Sequence, residues 1–556
     1  MQRFSAIPLR HAVKLVRNAS TVAKVAQTKV NTAKLQTKER QDAIVSNINT
    51  YYPSMSALPG NVAAYKNVSI GNFLESYVNA SEPLDTDLPG VPLLLNGRIA
   101  NIRTAGKKMC FIDLINSQTG QQIQVIVNYN KLHEEMKPEQ LQYISAMGFL
   151  RKNDFIQVRG HPGVSENAQK TVSLKCTEVP IVLAPIQQPL PNGLVNNTKI
   201  NKNRVIDYQV NGVNDLVMRS KVITMIRQFL LDKNYMEVET PMLSSKSNGA
   251  NAMPFQTKLN FNDTALELRI APELWLKRLI ISGLDGVFEI GKVFRNEGVD
   301  STHNPEFTIM ECYQTYMTME DLITFSEELF RYILTRLINY TNQGAVKELY
   351  DVLAANEWRF KRVEFLPTLS KEIGVDLANV DLNGVDSLMK IVPESVKREL
   401  FTSVELAKPS EHLSPQKILD KLCGKYIEDI HCQSLLPTII YHHPVVMSPL
   451  SKINSHNSDI TQRFEIFIQG QEYINAYEEE NCPQIQLQKF EAQNKYKKSD
   501  SESLNVDYQY VETMKSGMPP TGGLGLGVDR LCMLLLGKTR IEQVLAFGSL
   551  DDVNAQ

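Results

Sequence analysis

Apolar and polar positions divide this chain into stretches of different texture. Between residues 92 and 183 the apolar residues fall in short runs, 93–103, 109–116, 121–127, 154–163 and 171–183, with one helical stretch around 138–147. Five short strands with one intervening helix form the pattern of an OB barrel, a fold that often binds single-stranded nucleic acid. Further on the period changes. Ile223, Ile226 and Leu230 recur at helical spacing, and then Tyr235, Glu237 and Glu239 alternate with Met236 and Val238 before Pro241, predicting a helix that runs into a strand. From Val287 to Tyr316 the pattern is strand, polar loop, strand. Phe288, Ile290 and Phe294 alternate with Glu289, Gly291 and Arg295, and turn-forming residues fill Gly298 to Pro305. Phe307, Ile309, Glu311 and Tyr313 share a parity and hence a face, as do Arg295 and Glu297. One surface of this hairpin therefore mixes a guanidinium, two carboxylates, an aromatic plate and a phenol. Ordinary hairpins keep aromatics in the core and scatter charge on the wet face. Two more strands flank Gln469-Gly470-Gln471, and a glycine-rich strand leads into an apolar helix over 521–537.

Composition narrows the class. A chain of 556 residues with 43% apolar residues is a multidomain globular protein, and no apolar run is long enough to cross a bilayer. Seven scattered cysteines without a CxxC pair predict free thiols rather than disulfides or a zinc site, and the nine histidines show no HExxH spacing. The first 38 residues contain eight Arg and Lys, no Asp or Glu, and abundant Ser, Thr, Ala and Val. That is the composition of a mitochondrial presequence; a basic tail touching nucleic acid directly is the other reading. Taking those eight charges from a formal net charge of −2 leaves −10, so nucleic-acid contact in the remainder must come from local patches.

FRNE at 294–297, a short loop and HNPEF at 303–307 resemble motif 2 of the class II aminoacyl-tRNA synthetases. The wording RNEG…THNPEFTIMECY, together with APELWLKRLI at 271–280, is similar to the lysine branch of class IIb. The helix and strand over 217–243 resemble motif 1, and TGGLGLGVDRLCMLLLG at 521–537 resembles motif 3. GxxxxGK[ST], GxGxxG, HIGH and KMSKS signatures are absent. The resemblance covers about residues 92 to 550 and implies an α+β multidomain chain. Its parts would be a presequence (1–38), a connector (39–91), an OB-fold anticodon-binding barrel (92–185), a hinge (186–215) and a class II catalytic domain (216–556). The last is expected to be an antiparallel sheet flanked by helices, with an insertion at about 343–437.

The same resemblance implies ATP-dependent activation of L-lysine to lysyl-adenylate and transfer to tRNA(Lys). It also implies Mg²⁺ and a homodimer through motif 1, while the composition of residues 1–38 points to the mitochondrial matrix and the lack of a long apolar run to no membrane. Arg295 and Arg530 would be catalytic and bind ATP together with Glu297, His303 and Phe307. Gly249, Glu273, Arg295, Glu311, Tyr313, Asn475 and Glu479 would bind lysine, and Glu465 and Glu472 the metal. Arg98, Arg103, Phe111 and Gln124 would meet the anticodon. Read without the resemblance, Glu273 is a helix N-terminal charge, Phe111 an inward core residue and the acids of EYINAYEEE a solvated face. Met253 and Lys515 depart from the family's pattern. Three rivals stand beside this expectation. An aspartyl or asparaginyl synthetase shares the architecture, but the pocket acids Glu311 and Glu479 argue against it, since an aspartate site would need cations there. A lysyl transferase acting on protein would lack the barrel, and a non-catalytic tRNA carrier would tolerate loss of Arg295, Glu297 or Arg530.

Overall fold

The computed structural model describes residues 38–58, 64–82, 84–166, 170–246, 249–250, 252–340, 344–497 and 506–547. The expected presequence, apart from Lys38, lies outside the described residues. The chain forms two compact units, 1–200 with 205–214 and 201–204 with 215–556.

In the first unit, strands β1 (Leu93–Ala105), β2 (Met109–Ile115) and β3 (Gln122–Asn128) form a meander, followed by helix α1 (Gln140–Phe149). Strands β4 (Phe155–Val164), β5 (Val172–Cys176) and β6 (Ile181–Ala184) follow. The order is β1-β2-β3-β5-β4-β6, and pairing of β1 with β4 closes the barrel. Alternation decides which side chains fill it: Cys110, Ile112 and Leu114 of β2, Val125 and Val127 of β3 and Leu174 of β5 are wholly buried. The segment read as a connector belongs to this unit. Its helical residues 38–51 bring Arg40 to the base of α1, where the guanidinium donates to both oxygens of fully buried Asp154, at 2.7 and 2.8 Å, and to the Phe149 carbonyl. It also lies 4.6 Å from the centre of the Phe149 ring, on which Tyr51 stacks. A buried carboxylate needs such a partner.

The second unit is built on helix α2 (Asn214–Asp232), strand β7 (Met236–Glu237), helix α3 (Glu273–Ile281) and the hairpin of β8 (Gly286–Phe294) and β9 (Glu306–Thr315). Helix α4 (Met319–Leu337), β10 (Lys361–Glu364), β11 (Thr438–Tyr441), β12 (Arg463–Ile468), β13 (Gln471–Glu478), β14 (Thr521–Gly527) and helix α5 (Val528–Leu536) complete it. The eight strands run β10-β11-β12-β13-β14-β9-β8-β7, antiparallel from β11 to β8 and parallel only at the two edges. A second helical core, with Phe365, Leu369, Leu388, Ile418 and Leu422, fills the long connection between β10 and β11.

Strand parity assigns the two faces of this sheet to different tasks. Phe288, Met310, Cys312, Leu524, Leu526, Ile474, Ala476, Phe464 and Ile466 point to one side and form a single core with α2, α4 and α5. Their alternates Glu311, Tyr313, Gly523, Gly525, Asn475, Tyr477, Glu465 and Arg463 line a cavity on the other. The apolar face is stabilised by burial under the helices. The polar face is left for chemistry.

Candidate active site

Two rows of paired residues cross the polar face. One is Glu465, Asn475, Gly525, Glu311; the next is Arg463, Tyr477, Gly523, Tyr313. Glycine in the middle strand keeps the floor open. A Cβ at Gly523 would strike the Glu479 carboxylate and the Tyr313 ring, so the larger side chains on either side fit only because this position has none. The resulting cavity, about 440 Å³, is walled by α3, the loop after β8 and residues 447–451.

At one end stands Arg295, just past β8. Its N–H donates to the Pro305 carbonyl at 2.9 Å and its guanidinium lies 5.2 Å from the centre of the Phe307 ring. The Arg295 Nε is buried with no hydrogen-bond partner, a donor poised for an acceptor that enters the cavity. Arg530, in the first turn of α5, donates to the Glu472 carbonyl at 2.9 Å and to Nε2 of His303 at 2.8 Å. The other His303 nitrogen lies 2.9 Å from Asp300, whose carboxyl is held well below its usual range by the Thr302 N–H, with His303 adding to the effect. Glu297 is exposed at the rim and accepts from the Met253 N–H at 3.3 Å. Met253 also accepts from the Asn296 N–H, so it shapes the rim through its backbone.

The other end is acidic and buried. The Tyr313 hydroxyl donates to Glu311 at 3.0 Å and the Tyr477 hydroxyl to Glu273 at 2.6 Å. Glu273 opens α3 after Pro272, as its helix-terminal reading requires, yet it is buried. Gly249 faces it with φ +103°, and a Cβ there would lie 3.1 Å from that of Glu273. Glu479 stands behind this wall, 2% exposed and off the cavity surface, in an ion pair with Lys277. Burial, and then repulsion from Glu273, pushes Glu311 up to about 8, although Tyr313, Lys277 and Arg295 oppose the shift.

Between the two ends, Asn475 accepts from Arg463 Nε at 3.2 Å and donates to Glu465 at 3.3 Å. Burial would raise the Glu465 carboxyl, but Arg463 at 2.5 Å and His443 at 3.3 Å hold it down at about 2. Its neighbour Glu472 is driven the other way, to about 7, by burial and by the charge of Glu465.

A family model described as "tRNA synthetases class II (D, K and N)" matches residues 196–551, more than half of the chain. This chain belongs to that family. It is 50% identical over 547 residues to "Lysine--tRNA ligase, mitochondrial" of Saccharomyces cerevisiae, covering 95% of this chain and 94% of that protein. Against the protein of the same name from Schizosaccharomyces pombe the identity is 38% over 466 residues, covering 82% and 83%. A "Lysine--tRNA ligase" of Lactococcus lactis is 39% identical over 405 residues, covering 71% and 77%.

In this class II synthetase the barrel residues singled out from sequence separate. Phe111 points outward, half-buried, because its neighbours Cys110 and Ile112 take the inward positions, so the inward-core reading of Phe111 does not hold. Arg103 pairs with it across the strands, with its guanidinium 6.0 Å from the ring centre, and Gln124 lies on the same outward face, accepting from Ser173 at 3.1 Å. Arg98 does not join them. It is buried near the middle of β1, where its guanidinium donates to the Gln209 carbonyl.

Four residues around the catalytic cavity escaped sequence reasoning. Lys277, one turn after Glu273 on α3, carried a signal in its i,i+4 spacing. Arg463 alternates with Glu465 and shares its face, a second legible hint. Tyr477 likewise shares a face with Asn475 two residues before it, whereas His443 is brought in only by tertiary packing. Lys515 is a surface residue, paired at 2.6 Å with exposed Glu512.

Proposed function

We propose that this synthetase is a lysine–tRNA ligase of the mitochondrial matrix that activates L-lysine with ATP and transfers it to tRNA(Lys). One observation carries the reading. Buried Glu273 and Glu311, with the Tyr313 phenol, close one end of a cavity whose other end presents Arg295, Phe307 and Arg530, and Glu479 is buried directly behind the acidic wall. An ammonium taken out of water needs anionic partners, and an aspartate side chain would need cations in these places.

Lysine would lie with its α-ammonium at Glu273 and Gly249 and its ε-ammonium at Glu311, Tyr313 and Glu479. Its carboxylate would then lie near Arg295 and Asn475. ATP would stack its adenine on Phe307 beneath Arg530, with the amino group near Glu297 and the terminal phosphates near His303. The lysine carboxylate attacks the α-phosphorus in line, the bond to the pyrophosphate oxygen breaks, and lysyl-adenylate and pyrophosphate result. The terminal adenosine hydroxyl of tRNA then takes the lysyl group and AMP leaves. No side chain is placed as a base, so positioning and neutralisation of phosphate charge by Arg295 and Arg530 drive the first step. Glu465 and Glu472 fit Mg²⁺, because a cation relieves the repulsion that raises Glu472. No group of three His, Cys, Asp or Glu among the described residues forms a full cage, which suits a metal that takes its other ligands from phosphates and water. The metal would add charge neutralisation on those phosphates. Phe111, Arg103 and Gln124 offer a stacking face, a cation and an edge-reading amide to anticodon bases.

The test is ATP–pyrophosphate exchange on the full chain with each of the twenty amino acids. Exchange with lysine alone is expected. Exchange with aspartate or asparagine would overturn the pocket reading, and folded protein without any exchange would favour a tRNA carrier.

A further inference from the structure

The Lys277 ammonium has no role in the reaction above, although it sits among the residues assigned to the substrate. Its side chain is 1% exposed and ion-paired to both Glu273 and Glu479. The rings of Tyr477 and Tyr313 lie 5.4 and 5.9 Å from it. The groups facing it come from every neighbouring element. Glu273 is on its own helix, Tyr477 and Glu479 are at the end of β13, Glu311 and Tyr313 are on β9, and Tyr510 and Lys489 lie on helices beyond. Lys489 does not share the load, being taken by Glu480 at 3.0 Å and the Ser451 carbonyl. Three buried carboxylates, Glu273, Glu311 and Glu479, thus share one ammonium; Arg295 also acts on Glu311, but its charge is matched by the substrate carboxylate, so the occupied pocket is two positive charges short without further cations. Lysine carries two ammonium groups.

We propose that Lys277 is a positioning residue that clamps Glu273 to Glu479 and sets the charge of the amino-acid pocket so that only a substrate with two ammonium groups completes it. The inference rests on lysine being the substrate. An amino acid with a neutral side chain leaves one buried carboxylate without a counter-charge, which is costly away from water. Without Lys277, Glu273 and Glu479 repel each other, one takes up a proton, and an acceptor for an ammonium is lost.

The full chain carrying Lys277→Met is compared with wild type and with Lys277→Arg in pyrophosphate exchange. The lysine KM is expected to rise at least about tenfold in Lys277→Met. The ATP KM should stay unchanged, and Lys277→Arg should recover most of the lysine affinity. An unchanged lysine KM in folded Lys277→Met, or an equal rise in both KM values, overturns the inference. If Lys277→Met does not fold, calorimetry on wild type decides, with lysine titrated near pH 7 in buffers of different ionisation enthalpy. Release of protons on binding is expected, because a pocket with two uncompensated carboxylates holds a proton that the second ammonium displaces; binding without proton exchange overturns the charge count. A wild type that activates amino acids but not lysine overturns the functional reading itself, and the inference with it.

Discussion

Glu311 illustrates the tension between binding and stability at a single residue. Its carboxyl is buried beside Glu273, and burial first and that repulsion second lift it from the ordinary 4.5 to about 8. A carboxyl with a raised folded pKa contributes stability that is fully present below about 4.5 and is lost as pH rises through about 8, since the folded state binds the extra proton. Lysine reverses the preference, because an ammonium at this place favours the carboxylate. Two results are expected. The lysine KM of wild type should fall as pH is raised from about 6 to about 7.5. Glu311→Gln, a neutral isostere, should keep or raise the thermal midpoint of the ligand-free protein at pH 8 while raising the lysine KM about tenfold or more. A lower midpoint with an unchanged KM would mean that Glu311 is a structural acid.

At the scale of the element, the decisive feature is a strand that has almost no side chains on one face. Strand β14 pairs with both β9 and β13, and Gly523 and Gly525 leave its site face open, while Leu524 and Leu526 fill the core on the other. Gly523→Ala should therefore abolish lysine-dependent exchange while binding of ATP, measured by fluorescence of a nucleotide analogue, persists. Survival of exchange would mean that Tyr313 and Glu479 can move aside. This strand also marks the limit of what could be read from sequence. Parity alone put Phe307, Ile309, Glu311 and Tyr313 on one face, and the glycine-rich run alone marked the strand that leads into an apolar helix over 521–537. The charge balance was not legible, because Glu273 and Lys277 are separated from Glu479 by some two hundred residues, and periodicity says nothing about which helix covers which strand. For the same reason Arg40 read as part of a connector. Its partner Asp154 lies more than a hundred residues away, and only the fold shows that the helix is clamped.

For the whole molecule, the open question is what covers the edge of the eight-stranded sheet. Strand β7 is two residues long and pairs on one side only, with β8. In the sequence flanking it Leu231, Met236, Met242 and Leu243 are each about half exposed, and Met236 lies on the open strand itself, where a monomer would be expected to protect its edge. A second copy of the chain through this motif 1 surface is the proposed cover, and the edge is tied to the chemistry. Thr240 donates to Glu289 of β8 at 2.6 Å, and Arg269 links Glu289 at 2.5 Å to the Lys292 carbonyl of the same strand, so motif 1 braces the hairpin that carries Arg295. Sedimentation equilibrium should then give twice the chain mass for wild type and the single-chain mass for Met236→Asp combined with Met242→Asp. Exchange activity of that variant should fall by about tenfold or more, since small displacements of positioned groups are costly. Raising the protein concentration should restore mass and activity together. A wild type that sediments as one chain with full exchange would leave the apolar edge to another partner and show that each site is complete within its own chain.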